Sequence, residues 1–204
     1  MPPASAAECP EWAPCFYDST HILSGYAIYE LPFGKGKKFG SDMNTAANAI
    51  VGGWTVSSIL SWHTGFPMEL SSAVNDGVTF SHASPLRPDC NGTNTVFGRR
   101  PFTGAGGGFL WFDPSNYSNP KGVFGTCAPY MGAVRGPGLY NWDISLQKDV
   151  QLTERFKVQF RTDFLNAFNT VNPAAPNTTI GTTMGQVTGA QPARNVQFAL
   201  KFLF

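Results

Sequence analysis

Over the last ten residues of the chain, apolar and polar positions alternate one by one. Val196, Phe198, Leu200, Phe202 and Phe204 fall on one side, and Asn195, Gln197, Ala199, Lys201 and Leu203 on the other. Successive side chains of an extended strand point to opposite faces, so this spacing predicts a strand with one continuous apolar stripe and one mostly polar face. The preceding segment repeats the pattern: Phe156, Val158, Phe160, Thr162 and Phe164 point one way, and Lys157, Gln159, Arg161 and Asp163 the other. Before that, Tyr140, Trp142, Ile144 and Leu146 alternate with Asn141, Asp143, Ser145 and Gln147. Further upstream, Trp54, Val56, Ser58, Leu60 and Trp62 alternate with Thr55, Ser57, Ile59, Ser61 and His63. The run from His21 to Phe33 is strand-like with less cleanly divided faces, and Tyr26, Tyr29 and Phe33 give it aromatic weight.

The period of two predicts an all-β fold, an antiparallel up-and-down meander of about five or six strands with almost no helix. The strands centre near 21–33, 53–71, 139–150, 155–168 and 193–204. Each clear run is close to the ~9–11 residues that cross a bilayer at a tilt. Trp54 and Trp62, at the two ends of one face, match the aromatic girdles found where a barrel wall meets the two membrane surfaces.

The links between strands come in two sizes. Lys148 to Arg155 is short and polar and reads as a hairpin connection, and Gly34 to Gly53 is moderate. Leu70 to Gly138 is very long and rich in Gly, Pro, Asn and Ser, and Thr170 to Pro192 is intermediate. Outer-membrane barrels have short periplasmic turns and long external loops. A last strand ending on the periplasmic side puts 70–138 and 170–192 outside and the two shorter links inside.

Composition supports a wall between lipid and water. Charged residues are 13% of the 204, about half the ~25% usual in a soluble domain. Aromatic residues are 14%, with seventeen Phe, and Ser, Thr, Asn, Gln and Gly stand where a soluble protein carries Lys and Glu. A net charge of +1 gives no electrostatic footprint for nucleic acid, and Lys35, Lys37 and Lys38 form only a short basic run among glycines. No run approaches the ~18 apolar residues of a spanning helix. Met1 is followed by Pro-Pro-Ala-Ser, without a basic start or apolar h-region, which fits a segment of a longer chain and a cytosolic one equally.

Candidate chemistry is sparse, and the expectation is of a non-enzyme without metal or cofactor. His21, His63 and His82 show no metal-ligand spacing, and no G-x-S-x-G elbow occurs. The run Gly104-Ala105-Gly106-Gly107-Gly108 lacks a following Lys-Ser or Lys-Thr, so it reads as a loop rather than a phosphate cradle. Cys9, Cys15, Cys90 and Cys127 form no C-x-x-C pair and lie in loop sequence. In an oxidising compartment, Cys90 with Cys127 would staple the long loop, and Cys9 with Cys15 would make a small local ring.

Several stretches together resemble TonB-dependent receptors of the Oar-like type, which carry a carboxypeptidase-regulatory-like domain at their N-terminus. These are Tyr29-Glu30-Leu31-Pro32-Phe33-Gly34-Lys35-Gly36-Lys37-Lys38-Phe39, Gly52-Gly53-Trp54, Gly65-Phe66-Pro67 and Arg135-Gly136-Pro137-Gly138. Asn141-Trp142-Asp143-Ile144-Ser145-Leu146, Phe164-Leu165-Asn166-Ala167-Phe168-Asn169, Asn177-Thr178-Thr179-Ile180-Gly181 and the closing Gln197 to Phe204 complete the series. The resemblance covers residues 18 to 204, and residues 1–17, expected to be a disordered N-terminal segment, do not share it.

The resemblance implies a C-terminal segment of a large transmembrane barrel of about 22 strands. It implies an outer-membrane location and import of a substrate only within a longer protein. The implied partners are outer-membrane lipid, the barrel-assembly machinery, the remaining strands and plug, and TonB through that plug. In such a wall Lys157, Arg161, Asp163 and Lys201 would face the lumen, where they either meet plug or substrate or pair within the wall. Val196, Phe198, Leu200, Phe202 and Phe204 resemble the terminal signature read by the assembly machinery and would also face lipid. The rival reading is a secreted β-sandwich that binds carbohydrate or mediates adhesion, which would bury its apolar stripes between two sheets.

Overall fold

The computed structural model describes residues 13–72, 86–93, 95–101, 107–120, 125–153 and 155–204. The fold is all-β, with strands β1 (Ile22–Glu30), β2 (Trp54–His63), β3 (Pro67–Met68), β4 (Asp89–Cys90), β5 (Val96–Pro101) and β6 (Phe109–Phe112). It continues with β7 (Tyr117–Ser118), β8 (Met131–Arg135), β9 (Leu139–Gln151), β10 (Lys157–Leu165), β11 (Gln186–Val187) and β12 (Asn195–Leu203). One α-helix among the described residues, α1 (Thr45–Val51), lies between β1 and β2. The chain divides into two compact units, one of Met1–His21, His63–Leu139 and Asn172–Gln191, the other of Ile22–Trp62, Tyr140–Val171 and Pro192–Phe204.

The second unit carries a five-stranded sheet in the order β1-β2-β9-β10-β12, the expected meander with one long excursion between β2 and β9. Leu31, just past β1, donates its N–H to Trp54 O at the start of β2, and Asp149, late in β9, donates to Gly53 O. Each strand therefore begins beside the end of its neighbour, the antiparallel arrangement. β10 pairs antiparallel with β9 and with β12.

Strand limits differ from expectation where local chemistry intervenes. The β9–β10 link is shorter than the polar run suggested: Lys148 to Gln151 belong to β9, and the turn closes with Leu152 N–H on Phe156 O at 2.9 Å. Phe156 therefore sits in the turn, before β10 begins. β10 stops at Leu165 because Asn166 and Asn169 adopt φ of 51° and 52°, left-handed values that asparagine tolerates. α1 was not foreseen in the Gly34–Gly53 link. At seven residues it is too short to stand on propensity. Asn44 Oδ1 caps it from Ala47 N–H at 2.7 Å, and Trp54 Nε1–H donates to Ile50 O at 2.9 Å.

The first unit holds the buried hydrophobic core. Met68, Leu70, Phe112, Tyr117, Cys127, Met131, Val134, Met184 and Val187, the buried hydrophobics among the described residues, all fall within its segments. The excursion read as loop builds short pairings of its own: β11-β6-β5, β3-β8 and β4-β7. Cys90 and Cys127 are joined by a disulfide. Cys15 is an exposed free thiol, and Cys9, its expected partner, lies outside the described residues. Residues 13–17 form a turn, with Asp18 N–H on Cys15 O at 2.9 Å and the Phe16 ring 6.1 Å from that of Tyr130.

Candidate functional site

The sheet separates its faces by register. Across β10 and β12, Val158 stands opposite Phe202, Phe160 opposite Leu200, Thr162 opposite Phe198 and Phe164 opposite Val196. Across β9 and β10, Phe164 meets Ile144 and Thr162 meets Leu146. Directly opposed residues share a face, so these side chains form one apolar surface spanning three strands. The rings of Phe160 and Phe198 stack at 6.3 Å with 22° between planes. Trp142 belongs to the same surface; its indole N–H donates to Ser58 Oγ, and its ring lies 5.2 Å from Phe168.

Along β12 this surface is open. Phe198, Leu200 and Phe202 are 71%, 59% and 64% exposed, values that in water mark an interaction surface or an aggregation hazard. Phe204, past the end of β12, is more exposed still. Among the described residues of this unit none is a buried hydrophobic, so the stripe does not form the core of a sandwich.

The opposite face is a polar ladder. Asp149 accepts from Lys157 Nζ at 2.8 Å, Gln159 Nε2 at 2.9 Å and Gln147 Nε2 at 3.4 Å. Asp163 accepts from Arg161 Nε at 2.8 Å and from Ser145 Oγ, and Arg161 Nε also donates to Ser145 Oγ at 3.1 Å. Asp143 accepts from Asn141 Nδ2 at 3.0 Å and from Asn166 N–H at 2.8 Å. Lys201 stands opposite Gln159 on the same face. Lys157, Arg161, Asp163 and Lys201 are thus brought together, with Lys157, Arg161 and Asp163 tied into pairs within the wall. Partly exposed pairs of this kind contribute about 0–1 kcal/mol each. Within β9, β10 and β12, Asp143, Asp149 and Asp163 balance Lys157, Arg161 and Lys201.

One residue of the apolar face went unread in the sequence. Lys148 is opposite Phe160 and only 7% exposed; its Nζ donates to Gly52 O and lies 5.3 Å from the Trp54 ring centroid. The signal was present in parity, because 148 follows Ile144 and Leu146 at the same spacing of two. Among the described residues, no group of three or more His, Cys, Asp or Glu gathers to hold a metal, and no helix is long and apolar enough to cross a membrane.

No curated protein and no solved structure matches the chain. A family model described as an outer membrane beta barrel domain matches residues 3–197. The apolar face open to lipid, the polar ladder behind it and this match over most of the length agree: the chain belongs to the outer membrane β-barrel domain family and is a protein of the bacterial outer membrane.

Proposed function

We propose that this chain supplies part of the barrel wall of a TonB-dependent importer of the Oar-like type. The observation that carries the wall reading is the three-strand apolar surface, exposed along β12, backed by a charge-balanced polar ladder. Five long strands fall short of the roughly eight needed for the smallest closed barrels, and β1 and β12 end the sheet with open edges. Further strands close the wall, and a plug fills a lumen of that size. Lys157, Arg161, Asp163 and Lys201 then line the path of a substrate or touch the plug. The 70–138 and 170–192 excursions face outward, and the terminal Val196 to Phe204 stripe also serves as the assembly signal. The wall acts in passage of a substrate and not in catalysis.

Membrane fractionation with a binding assay tests this. For the full-length protein that contains this wall and its plug, the expected result is recovery in the outer-membrane fraction as a heat-modifiable band that is retained by immobilised TonB periplasmic domain. A heat-modifiable band that TonB does not retain would leave the wall and remove the importer.

A further inference from the structure

We infer that the first unit carries a binding site for a neutral saccharide, in a cleft of about 460 Å³ lined by His63, Phe66, Met68, Asn172, Pro173 and Gln191 among others. That volume lies within the ~300–1,000 Å³ of small-molecule sites. The inference does not rest on energy coupling, because it concerns recognition within one unit of this chain.

The cleft has a constrained frame. Gly65 and Gly136 approach so closely that a Cβ on Gly65 would lie 1.7 Å from Gly136 O, and one on Gly138 would lie 2.5 Å from His63 O. Gly136 N–H donates to Phe66 O at 2.9 Å, and Gln191 N–H donates to Asn172 O at 2.7 Å. Arg135 braces one side, its guanidinium donating to Asp18 Oδ2 at 2.6 Å and to Gly65 O at 3.2 Å, while Trp111 Nε1–H donates to Arg135 O at 2.6 Å. A ligand therefore meets groups already held in place, which lowers the ordering cost of binding.

The lining chemistry selects the ligand class. Among the described residues no Asp, Glu, Lys or Arg lines the cleft, so these residues offer an ionic ligand no counter-charge. The carboxamide of Gln191 combines donor and acceptor, as a hydroxyl does. His63 Nδ1 lies 2.9 Å from Thr64 O, and because a carbonyl only accepts, Nδ1 carries the proton and Nε2 of the neutral ring is an acceptor. Phe66 is 38% exposed with its ring centroid 4.9 Å from that of His63, and the electron-rich face of such a ring attracts the C–H face of a pyranose. A hydroxyl-matching amide and an imidazole acceptor beside an apolar aromatic plane describe a sugar site better than a site for a lipid tail or a metal chelate.

The test is titration calorimetry on the full chain, folded in an amine-oxide detergent that has no sugar headgroup. The probes are maltose, cellobiose and N-acetylglucosamine, with glucuronate and glucosamine as charged controls. Saturable binding of at least one neutral probe is expected, with charged controls at least tenfold weaker. Phe66→Ala and Gln191→Ala should each weaken it at least tenfold while circular dichroism and the Cys90–Cys127 bond stay unchanged. No saturable binding of any neutral probe overturns the inference, as does equal binding of the charged controls or binding untouched in both folded variants. If one variant fails to fold, the other decides alone.

Discussion

Lys148 stands directly opposite Phe160 across β9 and β10, which sets a lysine in a stripe whose neighbouring rungs are Leu146 and Val150. It is tolerated because its methylene stem covers apolar surface while Nζ turns back to Gly52 O beneath the face of Trp54. The contact ties β9 to the start of β2, where Gly53 holds φ of 71° and a Cβ on it would lie 2.5 Å from Asp149 O.

Lys148→Met should therefore destabilise the sheet although it makes the stripe more apolar. A hydrogen bond from a charged donor is worth about 1.5–3 kcal/mol, of which the added apolar surface returns a part, leaving a net loss of about 1–2 kcal/mol. Urea unfolding from detergent, followed by tryptophan fluorescence, measures it. A variant as stable as the parent would show that the Gly52 contact contributes nothing.

The two faces of β10 should respond oppositely to the same substitution. Phe160→Arg places a guanidinium against Leu200 and Phe198, at a cost of about 2–4 kcal/mol if the site lies near the bilayer midplane. Gln159→Arg places it beside Asp149, whose carboxylate Gln159 already meets at 2.9 Å, and should be tolerated. In the full-length protein, heat-modifiable folding into lipid vesicles should be lost in the first variant and kept in the second. Equal behaviour would mean that the face assignment is wrong.

Four of the five long strands were legible because each alternates over nearly its whole length, β1 less clearly, and keeping the stripes together fixes the parity of pairs such as Phe160 with Leu200 and Phe164 with Val196. The polar ladder was legible in membership but not in pairing, since Asp149 binds Lys157 only once the turn is seen to close at 152–156. The first unit was hidden. Its strands run from two to six residues, too short for a period to repeat, and its core residues Leu70, Phe112, Val134 and Val187 come from distant segments. The cleft escaped for the same reason: Phe66, Gly136 and Asn172 are brought together by close backbone approach at glycines, which leaves no periodic trace.

Reduction should loosen the first unit and spare the sheet. The Cys90–Cys127 bond spans a sequence separation of 37, and closing such a loop stabilises by ~4 kcal/mol on the chain-entropy model. Cys127 lies in the buried cluster with Phe112 and Met131, so the lost constraint acts directly on that core. Cys90→Ala/Cys127→Ala should become protease-sensitive between residues 70 and 138 while its strand circular dichroism persists. An unchanged cleavage pattern would show that packing alone holds the segment.

Tyr117 should make the first unit sensitive to alkali. It is 6% exposed and meets Phe112 edge to face at 5.7 Å. Burial, with the nearby Asp113 charge adding to it, pushes its phenol from 10.0 up to about 12. The folded state thus prefers the neutral phenol. A folded value above the unfolded one means that the stabilisation is complete below pH 10 and is lost as pH rises toward 12. Two units correspond to at most about 2–3 kcal/mol. Phenolate absorbance should show one tyrosine titrating late, together with loss of the near-ultraviolet dichroism of the core. Tyr117→Phe should remove the late phenol and extend the alkaline limit of the fold. If Tyr117→Phe leaves the phenolate titration curve unchanged, Tyr117 is reached by water and the core around Phe112 is looser than its packing implies.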